Sequence, residues 1–260
     1  MSHLLSLAAG VLPEFTPEQV AQAAAESGFE AVGFTVAPES WTDATTSKVQ
    51  AILQAAGVSV LDVEVIWIGA DGAVTDGHRK ILDVGGALGA KNALIVSSCT
   101  DEVKNCHAFA TLAEHASRYN IRACLEFLRI TAVTHLSQAV RIVESAGHPA
   151  GGVLIDTIHL ARCREFHLLR SVDPGLLPYS QFCDGNVDCA EDYQSLLADA
   201  VDLRSLPGEG GLPLQDVLAV LHPDLPLALE IRSRKLREDF PNHVARARHV
   251  LNSAKAYFGQ

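Results

Sequence analysis

The chain has 260 residues, 48% hydrophobic and 20% charged, and a formal net charge of −11 from 20 Lys+Arg against 31 Asp+Glu. That length can bury the core of one α/β barrel or two small domains, and the acidic balance argues against a duplex nucleic-acid binder, which works through phosphate-neutralising cations. No apolar run reaches the ~20 residues of a membrane helix, and no Lys/Arg-rich block reads as a surface anchor.

In chain order, Leu4–Ala9 opens as a strand. The surrounding LLSLAAGVL resembles a secretory apolar region, but no basic residue precedes it and Pro13-Glu14 follow with no cleavage site, so a buried first strand is the better reading. Strands are then expected over Ala31–Thr35, Val58–Ile66, Ala93–Val96, Ile121–Phe127, Val153–Asp156, Tyr179–Cys183 and Leu227–Ile231. Their apolar character is nearly continuous, as in a parallel sheet covered on both faces. Helical periodicity fills the gaps at Pro17–Ser27, Thr46–Ala56, Asp76–Leu88, Val103–Tyr119, Val133–Ala146, Leu214–Leu221 and Asn242–Ala256. Thr16 is a plausible cap for the first of these, and Gly28 and Gly57 stand where helices end. Asp184–Pro226 reads as a long active-site loop followed by a short helix, and Arg232–Asp239 as a solvated basic loop.

Eight strands alternating with helices over about 250 residues predict a single (β/α)8 TIM barrel, with residues 1–260 as one domain. A doubly wound open sheet is the alternative. It usually carries a Gly-rich phosphate loop after the first strand, where this chain has Gly10 alone. Cys99, Cys106, Cys124, Cys163, Cys183 and Cys189 form no CxxC and no zinc spacing, and read as reduced thiols of a cytoplasmic protein. His107 and His115 lie eight residues apart with no HExxH pattern, which argues against a metal pair.

Barrel active sites sit at the C-terminal ends of the strands. Four polar residues mark otherwise apolar strand ends: Glu126 in ACLEF, Asp156 in GVLID, Gln181 in YSQFCD and Glu230 in LALEI. Three carboxylates around one barrel mouth repel one another and call for protonation, cationic partners or a bound cation. A divalent ion resolves the conflict, and an oxygen-only donor set favours Mn²⁺ or Mg²⁺, with Co²⁺ as a substitute and Ca²⁺ compatible by ligand type. Arg232, two residues beyond Glu230, shares its face on a continuing strand and could hold a carboxylate or phosphate. Glu64 is either a substrate contact or part of a buried polar layer, and Trp67 either a pocket wall or core packing. Asp184 is expected to support the Gln181 strand end or a nearby loop.

The series LEF (Glu126), DTIH (Asp156, His159), QFCD (Gln181, Asp184), PGEG (207–210) and LEIR (Glu230) resembles the xylose isomerase-like barrel superfamily of sugar isomerases, epimerases, dehydratases and apurinic endonucleases. The match runs from Ile121 to Arg232 and is weak before it. The resemblance implies that Glu126, Asp156, Gln181 and Glu230 bind one divalent ion, although His is commoner at the Gln181 position. It makes Glu126 and Glu230 the acid/base pair, His159 a contact to a substrate hydroxyl and Arg204 a substrate anchor; helix capping and a surface position are the plainer readings of the last two. The implied substrate is a small polyhydroxy carbonyl compound, and the resemblance is compatible with a homodimer. Adjacent carbonyl and hydroxyl oxygens chelated by the ion permit enediolate chemistry. Isomerisation, epimerisation and dehydration all follow from it, and the ligands do not separate them.

Overall fold

A computed structural model describes residues 3–259. The first strand, β1 (Leu5–Leu7), is fully buried, because it closes the barrel between the second strand and the last. Then follow α1 (Pro17–Ser27), β2 (Ala31–Thr35), α2 (Asp43–Ala56), β3 (Ser59–Ile68), α3 (Asp76–Leu88), β4 (Asn92–Ser97), α4 (Glu102–Ser117), β5 (Arg122–Glu126), α5 (Leu136–Ala146) and β6 (Gly151–Asp156). The chain goes on through α6 (Thr157–Cys163), β7 (Ser180–Phe182), α7 (Tyr193–Val201), α8 (Leu214–Leu218), β8 (Leu227–Leu229), α9 (Arg234–Asp239) and α10 (His243–Phe258). The eight strands are parallel and pair in sequence order, β8 closing on β1, so the fold is a single (β/α)8 TIM barrel.

Local chemistry explains the sharpest boundaries. Thr16 and Gln19 form a reciprocal capping box at the start of α1, and Gly28 ends it at φ 90°, where a Cβ would be strained. Thr75 and His78 do the same for α3. Asp192 caps α7 and Ser233 caps α9; both helices lie in stretches the sequence reading left as loop. The charge-rich RKLRED of α9 hides its helical period, and the nine residues of α7 are too few to show one; packing stabilises both.

The main apolar core lies between strands and helices, and a smaller cluster fills the barrel interior with Ala8, Ala31, Leu94, Cys124, Tyr179 and Ala228 among its members. In β3 the register slips against β2 after Val60 and against β4 after Val63. These bulges let β3 carry Asp62 and Glu64 at different levels of the barrel. All six cysteines are free. Among the described residues, no helix is long and apolar enough to cross a membrane.

Candidate metal and substrate site

Each functional side chain sits where a strand ends. Glu126 is the last residue of β5 and Asp156 the last of β6. Asp156 also caps α6, its Oδ1 accepting from Ile158 N–H at 2.9 Å, so its other oxygen is turned inward. His159 follows on the first turn of α6, Gln181 lies mid-β7, and Glu230 directly follows β8. Glu64, Glu126, Asp156, His159, Gln181, Arg204 and Glu230 are all buried.

The centre of the group is a meeting of oxygens. Donor atoms of Glu126, Asp156 and His159 all lie within 4.8 Å of one another. One end of the Gln181 amide stands 3.2 Å from Glu126 Oε1 and 3.1 Å from Asp156 Oδ2. If that end is nitrogen, the amide donates to both carboxylates. If it is oxygen, three oxygens converge and need a cation between them. Adjacent oxygens around an octahedral ion with bonds of about 2.1 Å stand about 3.0 Å apart, so the observed spacing fits.

Glu230 stands outside that cluster of donor atoms. Its Oε1 accepts from Arg232 Nε at 2.5 Å, while its buried Oε2 has no hydrogen-bond partner. The carboxylate and Arg232 pack against Gly10, just past β1, where a Cβ would collide with both. The unpartnered Oε2 is the second sign that the site accommodates a cation or a substrate group.

Arg204 is buried, which excludes the surface reading. Its Nη1 donates to Asp156 Oδ2 at 2.6 Å and to the Glu230 carbonyl at 3.3 Å, and its Nε donates to the Ala200 carbonyl at 2.7 Å. Arg232 Nη2 donates to Glu64 Oε1 at 3.2 Å, and Thr35 Oγ1 donates to the same oxygen at 3.1 Å. When Glu64, Glu126, Asp156 and Glu230 are all ionised, Arg204 and Arg232 leave two formal negative charges, which one divalent ion balances. Donor chemistry, oxygen spacing and charge all fit such an ion.

Burial governs protonation. It raises the Glu126 carboxyl well above the usual range, and neighbouring Asp156 raises it further. Burial acts upward on Asp156 too, but the Arg204 charge, His159 and hydrogen bonds outweigh it and hold Asp156 low. His159 is pushed down to about 4 by burial, so its imidazole is neutral at pH 7. Its Nε2 faces Arg204 Nη2 at 3.4 Å, which places the ring proton on Nδ1. Glu64 is raised to about 7 by burial and by Glu230, against the pull of Arg232.

Trp67 does not pack in the core: it is 45% exposed and donates to Ser98 Oγ at 2.7 Å. Together with Glu64, Glu126, His159, Gln181, Arg204, Glu230 and Arg232 it lines a cavity of about 220 Å³. Asp184 anchors the loop at 207–210 instead of coordinating: Oδ2 accepts from Gly208 N–H at 3.1 Å and Oδ1 from Gly185 and Leu212 N–H at 2.8 and 3.0 Å. One residue the sequence reading missed is Asp62, fully buried with neither oxygen partnered. Its signal was present, an acidic residue two before Glu64 in an apolar run.

A family model described as xylose isomerase-like TIM barrel matches residues 21–255. No curated protein matches the sequence. A xylose isomerase-like TIM barrel/4-hydroxyphenylpyruvate dioxygenase fusion protein is similar in structure (TM-score 0.80, 22% identity); the match covers 97% of this chain but 42% of the fusion. An IolI protein with a bound zinc atom superposes at TM-score 0.79, with 16% identity over 98% of this chain and 99% of its own. D-allulose 3-epimerase from Methylomonas sp., in complex with D-allulose, gives 0.72 with 14% identity over 98% and 97%.

Proposed function

This chain belongs to the xylose isomerase-like TIM barrel family, and we propose that it is a divalent-metal-dependent isomerase or epimerase of a small sugar or polyhydroxy ketone. The observation that carries the proposal is the convergence of the Gln181 amide on Glu126 Oε1 and Asp156 Oδ2 at the barrel mouth. Glu126, Asp156, Gln181 and Glu230 would hold the ion, with His159 at its edge. The oxygen donors favour Mn²⁺ or Mg²⁺, with Co²⁺ as a substitute; the zinc of the IolI structure adds Zn²⁺ to the ions worth testing. A divalent ion held there supplies a Lewis acid for a carbonyl and its neighbouring hydroxyl.

The chain's own groups move the proton. Arg232 fixes one oxygen of Glu230 and leaves Oε2 free to accept a proton from the carbon beside the carbonyl. Glu126 would return one across the substrate from its acid form, which burial and Asp156 favour in the metal-free protein. Delivery to the opposite face of the same carbon gives an epimer, and delivery to the adjacent carbon exchanges aldose and ketose. Arg204 and the Ile158 N–H hold Asp156 still throughout. Neutral His159, on the cavity wall, would contact a substrate hydroxyl.

The test is metal removal with EDTA, reloading with Mn²⁺, Mg²⁺, Co²⁺ or Zn²⁺, and NMR of a ketose panel in deuterated water. Exchange at the carbon beside the carbonyl is expected only in reloaded protein, and should be lost in Glu230→Gln and Glu126→Gln. A protein that takes up Mn²⁺ yet exchanges no proton across the panel overturns the proposal. Loss of water with a rise in absorbance would assign it to dehydration instead.

A further inference from the structure

A second cavity of about 600 Å³ opens beside the first, between the loops that follow β1 and β2. Leu12, Pro13, Phe15, Phe34, Ala37 and Trp41 line it. Glu64, Val65 and Arg232 belong to the walls of both cavities. The Arg232–Glu64 ion pair at 3.2 Å is therefore a wall common to both cavities, and the second one, an annex to the first, adds the aromatic faces of Phe15, Phe34 and Trp41.

The catalytic chamber, at about 220 Å³, is smaller than the roughly 300–1,000 Å³ of small-molecule sites. It has room for a head group, and the annex, with Phe15, Phe34 and Trp41 among its walls, has room for considerably more. The chambers also share a charge property. Arg204 is committed to Asp156, and Arg232 to Glu230 and Glu64. No lysine lines either cavity, and the annex adds the acidic Glu18. A phosphate or carboxylate on the substrate would find no free counter-charge.

Resting on the function proposed above, we infer that the substrate is an uncharged polyhydroxy ketone bearing an apolar ring or chain. The ketone end lies over Glu126, Asp156 and Gln181, and the apolar group passes Arg232 into the annex. The alternative of a simple sugar phosphate lacks both a cationic cradle and any use for the annex. Burying a phenyl-sized group there should improve apparent affinity by about 10- to 100-fold over the unsubstituted ketose.

The probes are D-fructose, a benzyl ether of D-fructose and D-fructose 6-phosphate in the exchange assay with Mn²⁺-loaded protein, and benzyl alcohol alone by saturation-transfer NMR. The benzyl ether should show a KM at least tenfold below that of fructose, and the phosphate no gain. Ala37→Trp adds an indole to an exposed rim position of the annex; in it, the ether and fructose should have equal KM values and benzyl alcohol should no longer bind. Ser40→Trp, on the same exposed rim, repeats the test should the first variant fold poorly. Equal KM values in the wild type, or a preference that survives in both variants, overturns the inference. If no ketose exchanges but benzyl alcohol binds the wild type and neither variant, the annex stands as an apolar subsite and the ketose chemistry is what fails. If benzyl alcohol does not bind, the annex reading falls whatever the ketoses do.

Discussion

Glu64→Gln should make the metal-free protein more stable, by an amount that grows with pH. Glu64 is 2% exposed, and its folded-state pKa is raised from 4.5 to about 7, mainly by burial and then by the Glu230 charge. Between those values the folded protein keeps a proton that the unfolded chain has released. Wild-type stability therefore falls as pH rises through this window, and this contribution is gone above pH 7. A shift of that size corresponds to about 3 kcal/mol. Glutamine keeps an oxygen for Thr35 and Arg232, and Arg232 retains Glu230, so the substitution removes the charging cost without stranding a partner. Urea unfolding in EDTA should give a variant advantage under about 1 kcal/mol at pH 5 and about 3 kcal/mol at pH 8.5. An advantage that is the same at both pH values would mean that Glu64 is already ionised in the fold at pH 5, and the burial argument would be wrong.

Other perturbations probe the same framework. Gly10→Ala drives a methyl into the Glu230–Arg232 pair; it should cost about 1–3 kcal/mol and lower turnover more than Mn²⁺ uptake, and unchanged turnover would show that the pair relocates freely. Asp199→Asn breaks the buried ion pair with Arg162, 2.7 Å from Nε, that ties α6 to α7. The expected loss is about 3–5 kcal/mol by denaturant titration, and a loss below 1 kcal/mol would contradict the structural role given to the pair. Asp62→Asn should raise the melting temperature at pH 8 and do little at pH 4, because burial holds the folded Asp62 carboxyl well above its ordinary value; lower stability at pH 8 would reveal a partner for its charge.

What was legible in the sequence follows physical locality. The caps Thr16 and Gly28 are local, so α1 was bounded to the residue, and β2 was bounded equally well by its own apolar run. The start of α5 was placed too early, at Val133, because Leu128 N–H bonds to the Val133 carbonyl and holds that stretch in a turn until Leu136. The strand-end residues were legible because a barrel gives every strand end the same address. What was not legible depends on closure of the barrel: Glu230 turns towards Gly10 because β8 pairs with β1, more than 200 residues away in sequence. Likewise the fate of Arg204 rests on a partner 48 positions earlier. Trp67 was open between pocket wall and core beside Ile66 and Ile68; neighbours on a strand face opposite ways, so the side opposite the buried Ile66 and Ile68 carries the indole to the rim.

Arg204 also alters how metal affinity should be understood. Counting carboxylates alone makes the ion a necessity, but a resident guanidinium already neutralises part of Asp156 at 2.6 Å. The metal-free fold is therefore not a cluster of bare acids awaiting a cation, and stability and metal binding are separable. Arg204→Met removes that internal counter-charge from a buried pair, so metal-free protein should lose about 3–5 kcal/mol. A divalent ion would then restore more stability than it adds to the wild type, because it meets one more uncompensated negative charge. Thermal unfolding with and without Mn²⁺ measures both quantities. A larger Mn²⁺-induced rise in the variant is expected; an equal or smaller rise would mean that Arg204 and the ion do not act on the same carboxylate, and would separate Asp156 from the proposed ion site.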